Sequence, residues 1–87
     1  MVSRKITVKN TAGLHARPAG VLAKEAGKCS CDVWLVLGEK KIQAKSILNL
    51  MAAAIKCGTE IELQCDGEDE KESLDMLSAL IESGLGE

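Results

Sequence analysis

The 87-residue sequence predicts an α+β protein with two layers, in which helices cover one face of a sheet. Hydrophobic periodicity indicates seven elements in the order β-α-β-β-α-β-α. Two consecutive strands are joined by a Gly38-Glu39 turn, which predicts an antiparallel hairpin. Helices confined to one face of such a sheet are typical of a two-layer sandwich. A chain of this length builds one core, so we expect residues 1–87 to form a single domain.

The first four elements follow from alternation and helical spacing. Residues Arg4–Lys9 alternate in polarity and predict a strand, whereas the spacing of alanine and leucine in Ala16–Ala26 predicts a helix. Apolar residues on one side of Cys31–Leu37 indicate a buried strand. Lys40–Ala44 is expected to be its hairpin partner.

The next two elements are a short helix and a strand. Ser46 has the side chain of an N-cap, and the apolar residues after it predict a helix from Ile47 to about Ala54. Glu60–Cys65 alternates cleanly and predicts a strand. Its inward side chains are expected to be Ile61, Leu63 and Cys65.

The final predicted helix runs from about Glu70 to Ser83. It opens with acidic residues, which suit the positive end of a helix dipole. Asp69 and Glu72 have the spacing of a capping box. The buried stripe of this helix is expected to be Leu74, Leu77 and Ile81.

The charges are divided between the two parts of the chain. Residues 1–56 carry ten Lys and Arg against three Asp and Glu, whereas residues 57–87 carry one Lys against ten acidic residues. A basic surface of this kind favours acidic partners or phosphate groups. Nucleic acid is not favoured as the partner, because Trp34 is the only aromatic residue and no nucleic-acid motif is present.

Composition excludes several other classes. With 46% hydrophobic and 28% charged residues the chain is of ordinary globular type. No apolar run approaches the roughly 20 residues that a membrane span needs. The N-terminal residues lack the apolar stretch of a secretory signal, so we expect a cytoplasmic protein that does not bind membranes.

His15 is the only histidine, and it lies between a predicted strand and a predicted helix. Without special neighbours a lone histidine is usually an ordinary surface or core residue. Here the helix start offers unpaired N–H groups and a positive dipole end, which together hold phosphate. Arg17 adds a guanidinium that neutralises phosphoryl oxygens. The same positive surroundings favour a neutral, nucleophilic imidazole, so the segment indicates a phosphoryl acceptor.

Two segments carry a resemblance to a known family. Asn10-Thr11-Ala12-Gly13-Leu14-His15-Ala16-Arg17-Pro18-Ala19 and Lys45-Ser46-Ile47-Leu48 resemble the active-site and regulatory signatures of HPr. HPr is the histidine-containing phosphocarrier family of the bacterial phosphoenolpyruvate-dependent phosphotransferase system. The resemblance covers essentially the whole chain, including Gly58-Thr59-Glu60-Ile61 at the last strand. It implies an open-faced β-sandwich, with four antiparallel strands covered on one face by three helices.

The resemblance implies a phosphoryl relay that needs no cofactor. Enzyme I, phosphorylated by phosphoenolpyruvate, passes the group to Nδ1 of His15, which donates it to the A domain of a sugar-specific enzyme II. Arg17 and the backbone amides of Ala16 and Arg17 stabilise the phosphoryl oxygens, and Pro18 supports the helix start. Such a protein is a co-substrate of other enzymes rather than a turnover catalyst, and a monomer is expected.

Ser46 has a structural and a functional interpretation. As structure it is an N-cap. The resemblance makes it the target of an ATP-dependent HPr kinase/phosphorylase. Phosphate there would impede enzyme I and create a surface for a transcription co-regulator, and it suits a helix N-terminus.

The helix that follows Ser46 is apolar nearly all round, and so short a helix cannot bury every face. Leu50 is expected to pack into the core. The resemblance implies that the other side docks enzyme I and the enzyme II A domains. The implied docking residues are Ala16, Arg17, Lys24, Lys45, Ile47, Leu48 and Met51. Asn49 and Ala52-Ala53-Ala54 depart from the family, where small residues and a glycine are common, so the end of this helix and the partner preference stay open.

The four cysteines, at positions 29, 31, 57 and 65, are unusual for this family. Cys29 and Cys31 are too close for the common zinc spacing and no second pair is present, so no metal site is expected. Alternation points Cys31 and Cys65 inward as small apolar residues. The resemblance makes their strands neighbours, while a cytoplasmic setting argues against a standing disulfide.

Two other functions stay open. An HPr-like binding module of carbon catabolite repression would work only through phosphorylated Ser46. Such relatives lack the active-site histidine, so His15 with Arg17 favours the carrier. A carrier in a nitrogen-related relay is the other alternative, against which Lys45-Ser46-Ile47 favours the sugar system.

Overall fold

A computed structural model of the chain describes residues 1–11 and 13–85. Ala12 of the motif that contains His15, and Gly86 and Glu87 of the predicted domain, lie outside the described residues. The predicted element order is confirmed. The elements are β1 (Val2–Thr7), α1 (Ala16–Gly27), β2 (Asp32–Leu37), β3 (Lys40–Gln43), α2 (Ile47–Ala52), β4 (Glu60–Asp66) and α3 (Glu70–Glu82).

The four strands form one sheet with the order β1-β4-β2-β3, and every neighbouring pair is antiparallel. Ile6 pairs with Ile61, and Leu35 lies between Leu63 and Ile42, so all four strands contribute apolar side chains to one core. One leucine of each helix, Leu22, Leu50 and Leu77, is fully buried in the same core. The open-faced sandwich is therefore confirmed.

The other face of the sheet carries no helix in the described part of the chain. Trp34 of β2 lies on this face between Gln43 of β3 and Gln64 of β4, and it is half-buried. The ammonium of Lys41 lies 4.6 Å from the centroid of its ring, a cation–π contact. No helix among the described residues is both long and apolar enough to cross a membrane.

The predicted boundaries lie within two residues of the observed ones, and the two largest differences are in β1 and α2. β1 begins at Val2 because Val2 pairs with Cys65 at the end of β4. Val8, which follows β1, is still hydrogen-bonded to the residue before β4, because its amide donates to the Thr59 carbonyl at 2.9 Å. α2 ends two residues earlier than predicted, at Ala52, and Ala54 adopts a left-handed φ of 51°. An alanine pays a conformational cost at this φ that a glycine does not. The helix nevertheless ends before Ala54, although the sequence has alanine where the family commonly has glycine.

α3 begins at Glu70 as predicted, but its capping differs from the prediction. Leu74, Leu77 and Ile81 are buried as expected, but the capping box at Asp69 is wrong, since the Asp69 side chain makes no cap hydrogen bond. Its carboxylate instead accepts the amides of Ser30 and Cys31, each at 2.9 Å. Those two bonds fix the chain just before β2 against the start of α3.

The two backbone bonds have an electrostatic consequence. The Ser30 amide, followed by the Cys31 thiol and amide, lowers the pKa of Asp69 from 3.8 to about 2. A carboxylate whose pKa is lower in the folded state stabilises the fold above its unfolded pKa. That stabilisation is lost as the pH falls from about 4 towards about 2.

We therefore expect Asp69→Asn to lower the free energy of unfolding at neutral pH and to flatten its decline between about pH 4 and pH 2. Denaturant unfolding followed by circular dichroism at a series of pH values measures both effects. Asp75→Asn is the control, because Asp75 only pairs with Arg4 at the exposed surface of the same helix. An unchanged acid dependence in Asp69→Asn would contradict the assignment.

Candidate functional site

The His15 segment is held against the chain between α2 and β4. The Gly13 amide donates to the Asn10 carbonyl, and the Leu14 amide donates to the Ile55 carbonyl, both at 2.9 Å. Gly13 has a left-handed φ of 72°. A Cβ at Gly13 would overlap the Ile55 carbonyl oxygen and lie 2.9 Å from the Cα of Lys56. Only glycine therefore fits at this close approach of two backbones.

His15 occupies the N-cap of α1 with an extended backbone, and its side chain is exposed. The Ala19 amide donates to the His15 carbonyl at 3.0 Å, which closes the first helical turn. Pro18 is buried and has no N–H to satisfy. Helix geometry gives the amides of Ala16 and Arg17 no acceptor within α1, and the Arg17 side chain is exposed beside them. The predicted phosphoryl-binding groups thus meet at one helix end.

Two open clefts flank His15. The larger has a volume of about 410 Å³ and separates the His15 loop from the end of α3. It is lined by Lys9, Asn10, Thr11, His15, Glu82, Ser83 and Gly84. The smaller has a volume of about 270 Å³ and separates His15 from the end of α2. It is lined by Leu14, His15, Ala16, Met51, Ala54, Ile55 and Lys56.

An exposed apolar patch on α2 lies beside the histidine. This docking patch consists of Ile47, Leu48 and Met51, whose exposed fractions are 39%, 77% and 45%. Leu50, on the other side of α2, is fully buried as predicted. Met51 shares the smaller cleft with His15, so the patch and the histidine side chain form one continuous surface.

The two lysines expected around the docking patch differ in position. Ile47 faces α1 near Gly20, and Lys24 is exposed one turn further along that helix, which places its charge on the same side of α1. Lys45 is half-buried, and its ammonium donates to the Cys29 carbonyl at 3.0 Å. Lys45 therefore links the start of α2 to the loop after α1, and its role in docking stays a prediction.

Ser46 is the N-cap of α2, as predicted. Its hydroxyl oxygen accepts the Asn49 amide at 3.3 Å, and its backbone is extended. Ser46 precedes the patch residue Ile47, while Met51 near the other end of α2 borders His15. The two candidate phosphorylation sites therefore flank the docking patch from opposite ends.

The four cysteines are free thiols, and three of them are buried. Burial raises the pKa of the Cys31 thiol, and that of Cys65 to about 12, so both remain neutral. Cys57 is exposed, with its sulfur 3.9 Å from the Lys9 carbonyl oxygen. Within residues 1–11 and 13–85 no group of three His, Cys, Asp or Glu side chains is arranged to hold a metal ion.

One contact at the site was not found from the sequence. The side-chain amide of Asn10 donates to the Gly84 carbonyl at 2.7 Å, across 74 residues. The sequence placed Asn10 in the motif but gave no local signal for this partner, because the contact depends on how α3 packs against β1.

Comparison with known proteins identifies the family. The family described as PTS HPr component phosphorylation site matches residues 2–83. The chain is 46% identical over 79 residues to the phosphocarrier protein HPr of Mycoplasma capricolum, covering 90% of this chain and 89% of that protein. It is also 44% identical over 82 residues to the HPr-like protein Crh of Bacillus subtilis, covering 94% and 96%. The crystal structure of HPr from Thermoanaerobacter tengcongensis superposes with a TM-score of 0.94 at 40% identity, over 100% of this chain and 98% of that one. The chain belongs to the HPr family.

The close approach at Gly13 makes a prediction about stability. Gly13→Ala would place an alanine at a left-handed φ and against the Ile55 carbonyl, so we expect the free energy of unfolding to fall by more than about 2 kcal/mol. Gly27→Ala is the matched control, because a Cβ there meets nothing within 4 Å. That control should be neutral or stabilising by up to about 1 kcal/mol. Equal effects of the two substitutions in urea unfolding would refute the role of Gly13.

Proposed function

We propose that this HPr-family protein is a phosphocarrier that accepts a phosphoryl group on Nδ1 of His15 from enzyme I. It then passes the group to the A domain of a sugar-specific enzyme II. The observation that carries the proposal is the exposed His15 at the N-terminus of α1, beside Arg17. A phosphoryl group bound there would meet the open amides of the first turn, the positive end of the helix dipole and a guanidinium.

The chemistry required of the chain is limited. The lone pair on Nδ1 attacks phosphorus while the bond from phosphorus to the donor nitrogen breaks on the opposite side. Negative charge is spread over the equatorial phosphoryl oxygens during such an in-line displacement. Arg17 and the amides of Ala16 and Arg17 would stabilise that charge. In a second in-line displacement the next acceptor would attack phosphorus while the bond from phosphorus to Nδ1 breaks, which returns the lone pair to His15. The carrier is therefore a co-substrate of other enzymes rather than an enzyme with its own turnover.

The docking patch supports the partner assignment. Ile47, Leu48 and Met51 expose apolar side chains next to the cleft that contains His15. A protein that binds these side chains would also cover the His15 imidazole, whose Nδ1 accepts and donates the phosphoryl group. Ala16, Arg17 and Lys24 extend this surface along α1. We propose that enzyme I and the enzyme II A domains bind the same surface in turn. Residues 1–87 would act as one monomeric unit in the cytoplasm.

Ser46 supplies a regulatory proposal. Its side chain already caps α2, so a phosphate placed on its hydroxyl would keep a hydrogen-bonding position near the helix start. The added charge would border the apolar docking patch and impede enzyme I. An HPr kinase/phosphorylase is the proposed donor system, and a transcription co-regulator is the proposed reader.

A second candidate function is a regulatory module of carbon catabolite repression that carries no phosphoryl group on histidine. The 44% identity with the HPr-like protein Crh favours it. The presence of His15 together with Arg17 at the helix start favours the carrier.

We expect incubation with phosphoenolpyruvate and enzyme I of the same host to add one phosphoryl group, seen as a mass shift of the intact protein. The adduct should be labile to acid and stable to base, as a phosphohistidine is. His15→Ala should abolish it, whereas the matched control Ser46→Ala should retain it, since Ser46 lies at the far end of the docking patch. No adduct on the wild-type protein would favour the regulatory module instead.

A further inference from the structure

Asn10 is a buried polar residue of the loop that carries His15, with an exposed fraction of 4%. Its backbone carbonyl accepts the Gly13 amide at 2.9 Å, which forms the turn before the histidine. Its side-chain amide donates to the Gly84 carbonyl at 2.7 Å. One residue therefore shapes the reactive loop and fastens it to the end of α3.

The acceptor of this bond belongs to a well-fixed turn. The Gly84 amide donates to the Ile81 carbonyl at 3.1 Å, and the Leu85 amide donates to the Leu80 carbonyl at 3.0 Å. Leu85 itself is fully buried. Because the turn is held by its own backbone bonds and by a core side chain, the Gly84 carbonyl is a stationary anchor for the loop.

The reactive loop is thus held from two sides. On one side the Leu14 amide is bound to the Ile55 carbonyl, and on the other Asn10 is bound to Gly84. Asn10, Gly84 and His15 also line the same cleft of about 410 Å³. An open cleft offers no packing that could replace a lost hydrogen bond, so the position of the loop on this side depends strongly on Asn10.

We propose that Asn10 is a positioning residue for phosphoryl transfer, acting on His15 by fixing the reactive loop to the C-terminal turn of α3. The inference rests on the proposed carrier function of His15. In-line transfer requires close alignment of the attacking nitrogen, and a misplacement of about 1 Å can cost about a hundredfold in rate. Loss of the Asn10 bond would therefore slow the transfer step without changing the docking patch.

The test measures kcat and KM for phosphoryl transfer from phosphorylated enzyme I to the full-length protein by rapid quench. In Asn10→Ala, kcat should fall at least about tenfold while KM stays within about twofold, because the docking patch is intact. Arg4→Gln is the matched control. It breaks another contact between the β1 segment and α3, the 2.8 Å bond from Arg4 to Asp75, away from the loop. That control should leave kcat and KM within about twofold of the wild-type values.

Asn10→Asp provides a second, isosteric variant with a distinct signature. Its ionised carboxylate cannot donate to the Gly84 carbonyl, whereas the neutral acid can. Burial beside a carbonyl raises the pKa of such a carboxyl, so the kcat deficit relative to wild type should shrink as the pH is lowered from about 8 to about 6. A residue that only contributes stability would leave kcat of the folded variant at the wild-type value throughout this pH range.

The outcomes separate the two proposals. Normal kcat in Asn10→Ala, or in Asn10→Asp if the alanine variant does not fold, overturns the positioning role while transfer by the wild type upholds the carrier function. A deficit in Asn10→Asp that does not change with pH also overturns the role of the donated hydrogen bond. Failure of the wild-type protein to accept a phosphoryl group refutes the carrier function, and the Asn10 role with it.

Discussion

The close approach of Gly13 to the Ile55–Lys56 backbone is the constraint on which the site depends. Because the Leu14 amide is bound to the Ile55 carbonyl, the next residue, His15, must begin α1 beside the end of α2. In that position the histidine is exposed, lies at the positive N-terminal end of α1 and borders the apolar docking patch. A side chain at position 13 would separate the two backbones and move all three features together.

At the opposite end of the sheet, the carboxylate of Asp69 joins two elements. Asp69 accepts the amides of Ser30 and Cys31 and so joins the start of α3 to the start of β2. Most acidic residues belong to the last part of the chain, whereas His15 and the docking patch belong to the basic first 56 residues. The candidate site at His15 and the acid-sensitive junction at Asp69 therefore lie at opposite ends of the sheet.

Local patterns predicted the elements and the candidate nucleophile. Alternation and helical spacing placed all seven elements, whereas the resemblance to HPr, not periodicity, assigned Leu48 to the exposed side of a helix of six residues. Contacts between distant residues were missed, because they depend on how the elements pack. Spacing suggested a capping role for Asp69 within its own helix, but the carboxylate binds residues 38 and 39 positions earlier. The partner of Lys45 was missed for the same reason, since it is a backbone carbonyl in another loop.

The central claim is that Nδ1 of His15 carries the phosphoryl group. Its most direct test is nitrogen NMR of protein labelled with ¹⁵N-histidine after phosphorylation by enzyme I, and the single histidine makes the assignment unambiguous. The account predicts coupling to phosphorus at Nδ1 alone. Coupling at Nε2, or a phosphorylated protein whose histidine nitrogens show none, would contradict it.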